Sequence, residues 1–266
     1  SAFAGRSCDN IGMNTKQKKP DIKPVALLTG AARRIGAATA RMLHARGMDI
    51  IVHCHRSQRE ARTLVNQLNA AREDSAAMVS ADLNDMQALP MLLQEIDSHL
   101  NARKLRLLVN NASRFYATPV ATAGQDDWDN LFNSNVRAAY YLSQQLAPQL
   151  RNAQGCIINL IDIYAQRPLP QHSIYCMAKA ALQMMTLSLA QELAPEVRVN
   201  GVAPGAIIWP EQGLSEQNKQ AILERVALQR SGSEADIAKA VTWLALDADY
   251  VTGQILAVDG GRSLTI

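Results

Sequence analysis

Hydrophobic residues in this chain fall into short apolar runs that alternate with longer amphipathic stretches. The apolar runs have the length of β-strands, and the stretches between them have helical periodicity. The predicted strands are Val25–Thr29, Ile50–Cys54, Ala77–Ser80, Leu105–Asn110, Cys156–Ile161, Arg198–Val202 and Ile255–Val258. The predicted helices are Gly36–Arg46, Arg59–Ala71, Met86–His99, Trp128–Leu150, Ile174–Leu193 and Glu234–Leu246. Strands that are apolar on nearly every residue suit a sheet covered on both faces. The alternation therefore predicts an α/β fold with a doubly wound, Rossmann-like parallel sheet and helices on both faces.

The domain organisation is predicted from the uniform composition of the chain. No Pro/Gly-rich linker, repeat or change of composition follows residue 24, so residues 24–266 are predicted to form one domain. The segment Gly205–Ser233 breaks the pattern, with Trp209-Pro210 and Gly213 inside it. Because it follows the sixth strand, we predict a functional loop above the carboxyl ends of the strands.

The net charge of +3 is confined to the first 23 residues, which carry five basic and two acidic side chains. The remainder is formally neutral and lacks the basic face that nucleic-acid binding requires. Ser1–Gly12 has neither the apolar run nor the cleavage site of a signal peptide. We interpret it as a non-native extension, with Met13 as the natural start and residues 1–23 as a disordered leader. A functional basic tail is the alternative.

The cysteines and histidines give no metal-ligand spacing, so we predict no metal site. Cys54 and Cys156 lie in strand-like runs and are read as buried, reduced thiols, which fits a reducing, cytoplasmic compartment. A redox role for Cys176 is a less favoured reading. No apolar stretch approaches the roughly 20 residues of a membrane span.

Two segments predict a site for a phosphorylated dinucleotide. The run Thr29-Gly-Ala-Ala-Arg-Arg-Ile-Gly36 turns from strand to helix, where free N–H groups and a positive dipole end favour phosphate. The second strand ends in His55-Arg56-Ser57, with no acid before Glu60. A guanidinium and a hydroxyl suit a ribose 2′-phosphate, so NADP(H) is the expected cofactor. A helix capping box formed by Ser57 and Glu60 is the alternative, and both can hold together.

The chemistry is predicted to centre on Tyr175 and Lys179, which lie one helical turn apart on one face. The lysine ammonium, together with the positive charge of an oxidised nicotinamide, is expected to lower the tyrosine pKa from about 10 and suit it to proton relay near neutrality. Asp162 precedes Tyr175 by thirteen residues. An ionised carboxylate only accepts hydrogen bonds and repels charge developing on a carbonyl oxygen, so it argues against ketone reduction. It suits a nitrogen heterocycle with N–H donors.

With Asn110-Asn111-Ala112-Ser113 and Pro204-Gly205 also in order, residues 24–266 resemble the short-chain dehydrogenase/reductases. Most of that family carry serine at the position of Asp162, and aspartate there together with Arg33-Arg34 resembles the pteridine reductases. The resemblance implies that Asn135 takes part in proton relay and that Lys179 binds the nicotinamide ribose. The candidate catalytic residues are Asp162, Tyr175, Lys179 and Asn135. The candidate cofactor contacts are Gly30, Arg33, Arg34, Ile35, Gly36, His55, Arg56, Ser57, Asp82, Leu83, Asn111, Ala112, Ser113, Tyr175, Lys179, Pro204 and Gly205.

The resemblance also implies a substrate, a pterin, dihydropterin or folate reduced with NADPH, and a homotetrameric assembly. The candidate substrate contacts are Arg34, Ser113, Phe115, Asp162, Tyr175 and Trp209. Phe115 is expected to stack on the flat pterin ring, and a plain core position is its alternative. The chain departs from the pteridine reductases in a short connection between Phe115 and Asp129 and in the run Ala206–Pro210. Three other readings remain open: a 3-oxoacyl-type carbonyl reductase, a non-catalytic NADP(H) sensor, and a structural role for Asp162 in an inactive member.

Overall fold

The computed structural model describes residues 23–207 and 216–265, and a seven-stranded sheet lies at its centre. All strand pairs are parallel. The strands are β1 (Val25–Leu28), β2 (Asp49–Cys54), β3 (Ala76–Ser80), β4 (Leu105–Asn110), β5 (Cys156–Leu160), β6 (Arg198–Pro204) and β7 (Ile255–Val258). They are ordered β3-β2-β1-β4-β5-β6-β7. The predicted doubly wound sheet of the Rossmann type is confirmed.

Helices cover both faces of the sheet. They are α1 (Arg34–Ala45), α2 (Gln58–Ala71), α3 (Leu89–Leu100), α4 (Gln125–Phe132), α5 (Ala138–Asn152), α6 (Ser173–Glu192), α7 (Glu216–Leu223) and α8 (Glu234–Leu246). The core on one face joins α1, α2 and α8, and the core on the other joins α3, α5 and α6. Strand β1 shows why both are needed: Val25 and Leu27 point into one core, and Ala26 and Leu28 into the other. Since all four are fully buried, β1 reads as a continuous apolar run.

Several element boundaries differ from the prediction. Helix α3 begins at Leu89 rather than Met86, because the Asp85 side chain accepts a hydrogen bond from the Gln87 N–H and forms a turn first. The segment Gly205–Ser233 is not irregular throughout, since α7 lies within it. Residues 208–215, which include Trp209, lie outside the described residues, as do residues 1–22 of the proposed leader.

The single helix predicted over Trp128–Leu150 is instead α4 and α5 joined by a π-helical turn, Asn133–Arg137. Within that turn the Asn135 side chain donates to the Leu131 carbonyl, and the Ser134 hydroxyl donates to the Asn130 carbonyl. These side chains compete with backbone N–H groups for the carbonyls four residues earlier, which favours the wider turn. Single-turn π segments often occur at functional sites, and Asn135 is a candidate catalytic residue.

No helix among the described residues is long and apolar enough to cross a membrane.

Candidate active site

The sheet places most candidate residues at one edge. In a parallel sheet all strands end on the same side, and β1 and β4 are neighbours at the point where the strand order reverses. The glycine turn follows β1, Asn111 follows β4, and Asp162 follows β5. Ligands of doubly wound sheets bind in the crevice at such a reversal.

The glycine turn requires glycine at both ends for steric reasons. Gly30 has φ of +61°, and a Cβ there would lie 2.9 Å from Ala112 Cα. A Cβ on Gly36 would lie 2.6 Å from Ala31 Cα. Arg34 holds a φ of +52°, in the left-handed region where glycine is favoured. A side chain costs roughly 1–2 kcal/mol there, so this turn keeps an arginine against backbone preference.

Hydrogen bonds from β4 and β2 fix the shape of the turn. The Asn111 side-chain amide donates to the carbonyls of Thr29 (2.8 Å) and Gly30 (2.9 Å). The Thr29 hydroxyl in turn accepts the N–H groups of Asn111 and Ala112, both at 3.0 Å. Asn111 and Ala112 therefore hold the glycine turn in shape, a role that the sequence did not predict.

His53, at the end of β2, was also missed by the sequence reading. Its Nδ1 accepts the Gly30 N–H at 3.2 Å, and its Nε2 lies 3.2 Å from the Ala81 carbonyl oxygen. Both contacts are satisfied by a neutral ring protonated on Nε2. Burial lowers the His53 pKa to about 4, so the ring stays neutral near pH 7. No local motif marks this residue, because its partners come from other strands.

The tip of β2 is open toward solvent. Arg56 is exposed, His55 and Ser57 are half-buried, and Leu83 is buried. His55 Nδ1 lies 3.8 Å from an Asp82 oxygen. The alternative interpretation of Ser57 and Glu60 as a helix capping box is wrong, because the Ser57 side chain makes no capping hydrogen bond.

The Glu60 side chain belongs instead to a loose ion pair, 4.0 Å from Arg33. Arg33 is thereby brought beside the first turn of α2.

Asp162, Tyr175 and Lys179 form one group, in which Tyr175 and Lys179 are buried and Asp162 is half-buried. Asp162 follows β5; its Oδ1 accepts the Tyr164 N–H at 3.0 Å and its Oδ2 accepts the Tyr175 hydroxyl at 2.8 Å. Helix α6 carries both Tyr175 and Lys179, and the ammonium lies 5.7 Å from the tyrosine ring centroid. Lys179 Nζ donates to the Leu160 carbonyl at 2.9 Å. The predicted juxtaposition of these three residues is present.

In the unliganded structure Lys179 alone does not lower the Tyr175 pKa. The tyrosine pKa is raised well above 10, first by burial and then by the charge and hydrogen bond of Asp162. Burial also raises the Asp162 pKa and lowers the Lys179 pKa to about 8. Tyr175 is only 4% exposed and Lys179 2% exposed, so loss of hydration outweighs the attraction between ammonium and phenolate. In this arrangement Tyr175 is a neutral phenol that donates a hydrogen bond to the Asp162 carboxylate.

Ser113 and Asn135 contact each other directly. The Ser113 hydroxyl donates to Asn135 Oδ1 at 2.6 Å, and the Asn135 amide donates to the Arg114 carbonyl at 3.0 Å. The π-helical turn thus presents Asn135 to the loop after β4.

Phe115 is not a core residue, because 53% of its surface is exposed. Its ring stacks on His172, with centroids 4.7 Å apart and an interplanar angle of 12°. Tyr175 meets the same ring edge-on, with centroids 4.8 Å apart. One face of Phe115 is therefore occupied by an imidazole that the sequence reading did not single out.

The segments after β6 and β7 close this side of the site. The Gly205 N–H donates to the Val258 carbonyl at 3.1 Å, and a Cβ on Gly205 would lie 2.5 Å from Asp259 Cβ. Beyond β7, Arg262 Nη2 donates to the Tyr164 hydroxyl at 2.8 Å. Arg262 was not predicted, although it follows the last strand and so lies at the same edge as Asp162. Pro204 ends β6 opposite Val258.

Among the described residues, no group of three or more His, Cys, Asp or Glu side chains is arranged to hold a metal ion. Cys54 and Cys156 are buried free thiols, and Cys176 is half-buried.

Comparison with known proteins agrees with this geometry. A family model described as enoyl-(acyl carrier protein) reductase, of the short-chain dehydrogenase type, matches residues 30–263. The chain is 35% identical over 281 aligned positions to pteridine reductase 1 of Leishmania tarentolae, covering 91% of this chain and 97% of the relative. It is 34% identical over 240 positions to a 3-oxoacyl-[acyl-carrier-protein] reductase of Staphylococcus aureus, covering 89% and 96%. An uncharacterized oxidoreductase of Escherichia coli is 33% identical over 245 positions, covering 90% and 96%.

The chain belongs to the short-chain dehydrogenase/reductase family. It is an oxidoreductase of that family, whose members use NAD(P)H. The group Asp162, Tyr175 and Lys179 is its candidate active site. Two of the relatives named above differ in the substrate class that their names state, at nearly equal identity.

Proposed function

We propose that this protein reduces a pterin, dihydropterin or folate with NADPH. The observation that carries the proposal is the 2.8 Å hydrogen bond from the Tyr175 hydroxyl to the Asp162 carboxylate. A carboxylate beside the proton donor accepts N–H groups of a heterocycle and disfavours an oxyanion. The resemblance of these positions to the pteridine reductases supports the same substrate class.

NADP(H) fits the residues at the glycine turn. The backbone there leaves no room for side chains at Gly30 and Gly36, as a close approach to a pyrophosphate requires. The start of α1 offers N–H groups to phosphate. Arg33 and Arg56 would hold the ribose 2′-phosphate, and Asp82 and Leu83 the adenine end. When bound, NADPH supplies the hydride.

The protein supplies the matching proton. In the proposed reaction the Tyr175 hydroxyl protonates the ring nitrogen next to the carbon that receives the hydride. The phenolate so formed is reprotonated from solvent: Asp162, hydrogen-bonded to that oxygen, takes up a solvent proton and passes it to Tyr175. Burial raises the Asp162 pKa, which brings it closer to the range of a proton carrier near neutrality. Lys179 would bind the nicotinamide ribose, and Asn135 would hold Ser113 and the loop after β4 in position.

The substrate would lie against Phe115 on the face away from His172. Offset stacking of flat rings contributes roughly 0.5–1.5 kcal/mol beyond the area buried. Because the Ser113 hydroxyl donates to Asn135, its lone pairs are left to accept a pterin N–H. Arg34 is the proposed contact to the substrate and to cofactor phosphate. Trp209 remains a proposed substrate contact, outside the described residues.

A carbonyl reductase is the second candidate, favoured by the 34% identity to a 3-oxoacyl-[acyl-carrier-protein] reductase. It conflicts with Asp162, whose charge opposes an enolate or alkoxide next to Tyr175. A non-catalytic NADP(H) sensor is the third reading and predicts binding without turnover.

The deciding experiment follows NADPH oxidation with biopterin, dihydrobiopterin, folate and an acetoacetyl thioester in parallel. We expect turnover on the pterins and none above background on the thioester. Turnover on the thioester alone would establish the carbonyl reductase. Tyr175→Phe should abolish pterin turnover while NADPH binding, followed by fluorescence, is retained; Tyr250→Phe is the matched control because Tyr250 is fully exposed. Binding of NADPH without turnover on any substrate would support the sensor.

We propose a homotetramer as the working assembly. Support comes from apolar side chains left exposed on two helices that contribute to the same core, Tyr140 on α5 and Met177, Met184 and Leu187 on α6. Trp243 on α8 is a further exposed aromatic residue on the other face of the sheet. Light scattering coupled to size-exclusion chromatography tests this, and a monomer at micromolar concentration would contradict it.

A further inference from the structure

The segment after β7 carries a cation into the active-site edge of the sheet. Asp259 shapes this segment, since its two carboxylate oxygens accept the N–H groups of Gly261 (2.9 Å) and Ser263 (2.7 Å). Gly260 and Gly261 both have positive φ, at +65° and +83°. The short 3₁₀ helix Arg262–Leu264 follows directly, so Arg262 is presented by a tightly bonded turn.

Arg262 contacts Tyr164 in two ways. Its Nη2 donates to the Tyr164 hydroxyl at 2.8 Å, and its guanidinium carbon lies 5.6 Å from the centroid of the same ring. Tyr164 in turn donates its backbone N–H to Asp162 Oδ1 at 3.0 Å, while Asp162 Oδ2 faces Tyr175. A continuous set of contacts therefore runs from Arg262 through Tyr164 to the catalytic carboxylate.

We infer that Arg262 is a positioning residue for the reaction: through Tyr164 it fixes the orientation of Asp162, and its charge favours the ionised carboxylate facing Tyr175. This inference rests on the proposed function for its kinetic consequence but not for its electrostatic one. Arg262 does not reach the reacting atoms in the contacts described, so its role is exerted through other groups.

The positive charge of Arg262 opposes the effect of burial on Asp162. Asp162 is half-buried, and loss of hydration raises its pKa. The groups that act on it are the Tyr164 backbone N–H and the side chains of Tyr175, Lys179 and Arg262; Cys176 acts on Tyr175 beside it. Both cations favour ionisation of Asp162, against the effect of burial. Lys179 is itself buried, and its pKa is lowered to about 8, so it loses its charge at a lower pH than a guanidinium does.

One nitrogen of the Arg262 side chain is buried in an unfavourable way. Its Nε is buried without a hydrogen-bond partner among the described residues. Proteins retain unsatisfied buried groups chiefly where function requires them. A purely structural contact to Tyr164 would be served as well by an uncharged side chain at position 262.

The test follows the Asp162 carboxyl directly, by ¹³C NMR of full-length protein labelled at the aspartate carboxyl carbon. The Asp162 signal is assigned by its loss in Asp162→Asn. Arg262→Gln should raise the Asp162 titration midpoint by roughly half a pH unit or more, since it removes a nearby opposite charge. Arg262→Lys should restore most of the midpoint. Arg46→Gln, which breaks a surface pair with Asp247 at the far end of α1, is the control and should leave it unchanged.

Kinetics provide the second readout. We expect Arg262→Gln to lower kcat for the pterin by about tenfold with KM changed less than about threefold, as for loss of a transition-state interaction. Tyr164→Phe removes the hydroxyl that Arg262 contacts, and its effect should not add to that of Arg262→Gln. An unmoved midpoint in Arg262→Gln would overturn the inference. So would equal losses of kcat in Arg262→Gln and Arg262→Lys accompanied by equal losses of thermal stability, which would show a structural contact only.

The two proposals fail separately. If no pterin is turned over, the proposed function falls, yet the NMR midpoint in the unliganded protein still decides the role of Arg262. If pterins are turned over and the midpoint does not move, Arg262 alone loses its assigned role.

Discussion

The Tyr175 hydroxyl donates to Asp162 Oδ2 at 2.8 Å, so the proposed proton donor is held against a carboxylate. Loss of hydration and the carboxylate both raise the tyrosine pKa, and Lys179 does not reverse their effect. In the unliganded protein the proton therefore stays on Tyr175, which donates it in a hydrogen bond to Asp162. Activity then depends on replacing that proton as much as on releasing it.

Replacing the carboxylate should separate substrate classes. Asp162→Ser removes both the proton reservoir and the acceptor for substrate N–H groups, so we expect kcat/KM for the pterin to fall at least about tenfold. Any turnover of an acetoacetyl thioester should rise, because serine donates to a carbonyl oxygen. Steady-state assays on both substrates check this, with Asp162→Asn as the variant that keeps the size and an acceptor for the Tyr164 N–H. Unchanged pterin turnover in Asp162→Ser would remove the case for a pterin.

The sequence was sufficient for the fold and for the residues that share a local pattern. Tyr175 and Lys179 are one helical turn apart, and Asp162 ends a strand at the same edge, so their proximity follows from spacing and topology. The contacts of His53 with Gly30 and of Arg262 with Tyr164 join segments far apart in the chain, and no periodicity signals them. The burial that raises the Tyr175 pKa in the unliganded structure could not be predicted for the same reason, since it depends on the whole fold.

Cofactor selectivity should depend on the guanidinium at the tip of β2. Arg56→Gln removes a charged donor proposed for the 2′-phosphate, and such bonds contribute about 1.5–3 kcal/mol. The KM for NADPH should rise by roughly tenfold or more while the KM for NADH stays within about twofold. Arg62→Gln is the matched control, because Arg62 is equally exposed but lies further along α2. Equal changes for both cofactors would place the phosphate elsewhere.

The glycine turn should not tolerate even one methyl group. A Cβ on Gly36 would lie 2.6 Å from Ala31 Cα and 2.8 Å from both Asn111 Nδ2 and the Gly30 carbonyl oxygen. Gly36→Ala must therefore displace the turn and weaken NADPH binding at least about tenfold. Gly124→Ala is the control, since no atom lies within 4 Å of a Cβ there. Equilibrium fluorescence titration with NADPH measures both, and equal affinities would show that the turn can adjust.

His53 should make the folded protein sensitive to mild acid. Its folded pKa is lowered from the ordinary 6.5 to about 4, because the ring is buried between Gly30 and Ala81. A lowered histidine pKa means that the unfolded chain binds the proton first. The stabilisation is thus complete above pH 6.5 and is lost as the pH falls toward 4, by up to roughly 3 kcal/mol.

Urea unfolding between pH 7.5 and 4.5 measures this loss, with His53→Gln as the reference, because an amide has no proton to gain in that range. The free energy of unfolding should decline less steeply with falling pH in His53→Gln than in the unmodified protein. His44, whose pKa is also lowered by burial, is present in both proteins and cancels in the comparison. Parallel pH profiles would show that the Gly30 N–H keeps its partner when His53 is protonated, and that the turn does not depend on the neutral ring.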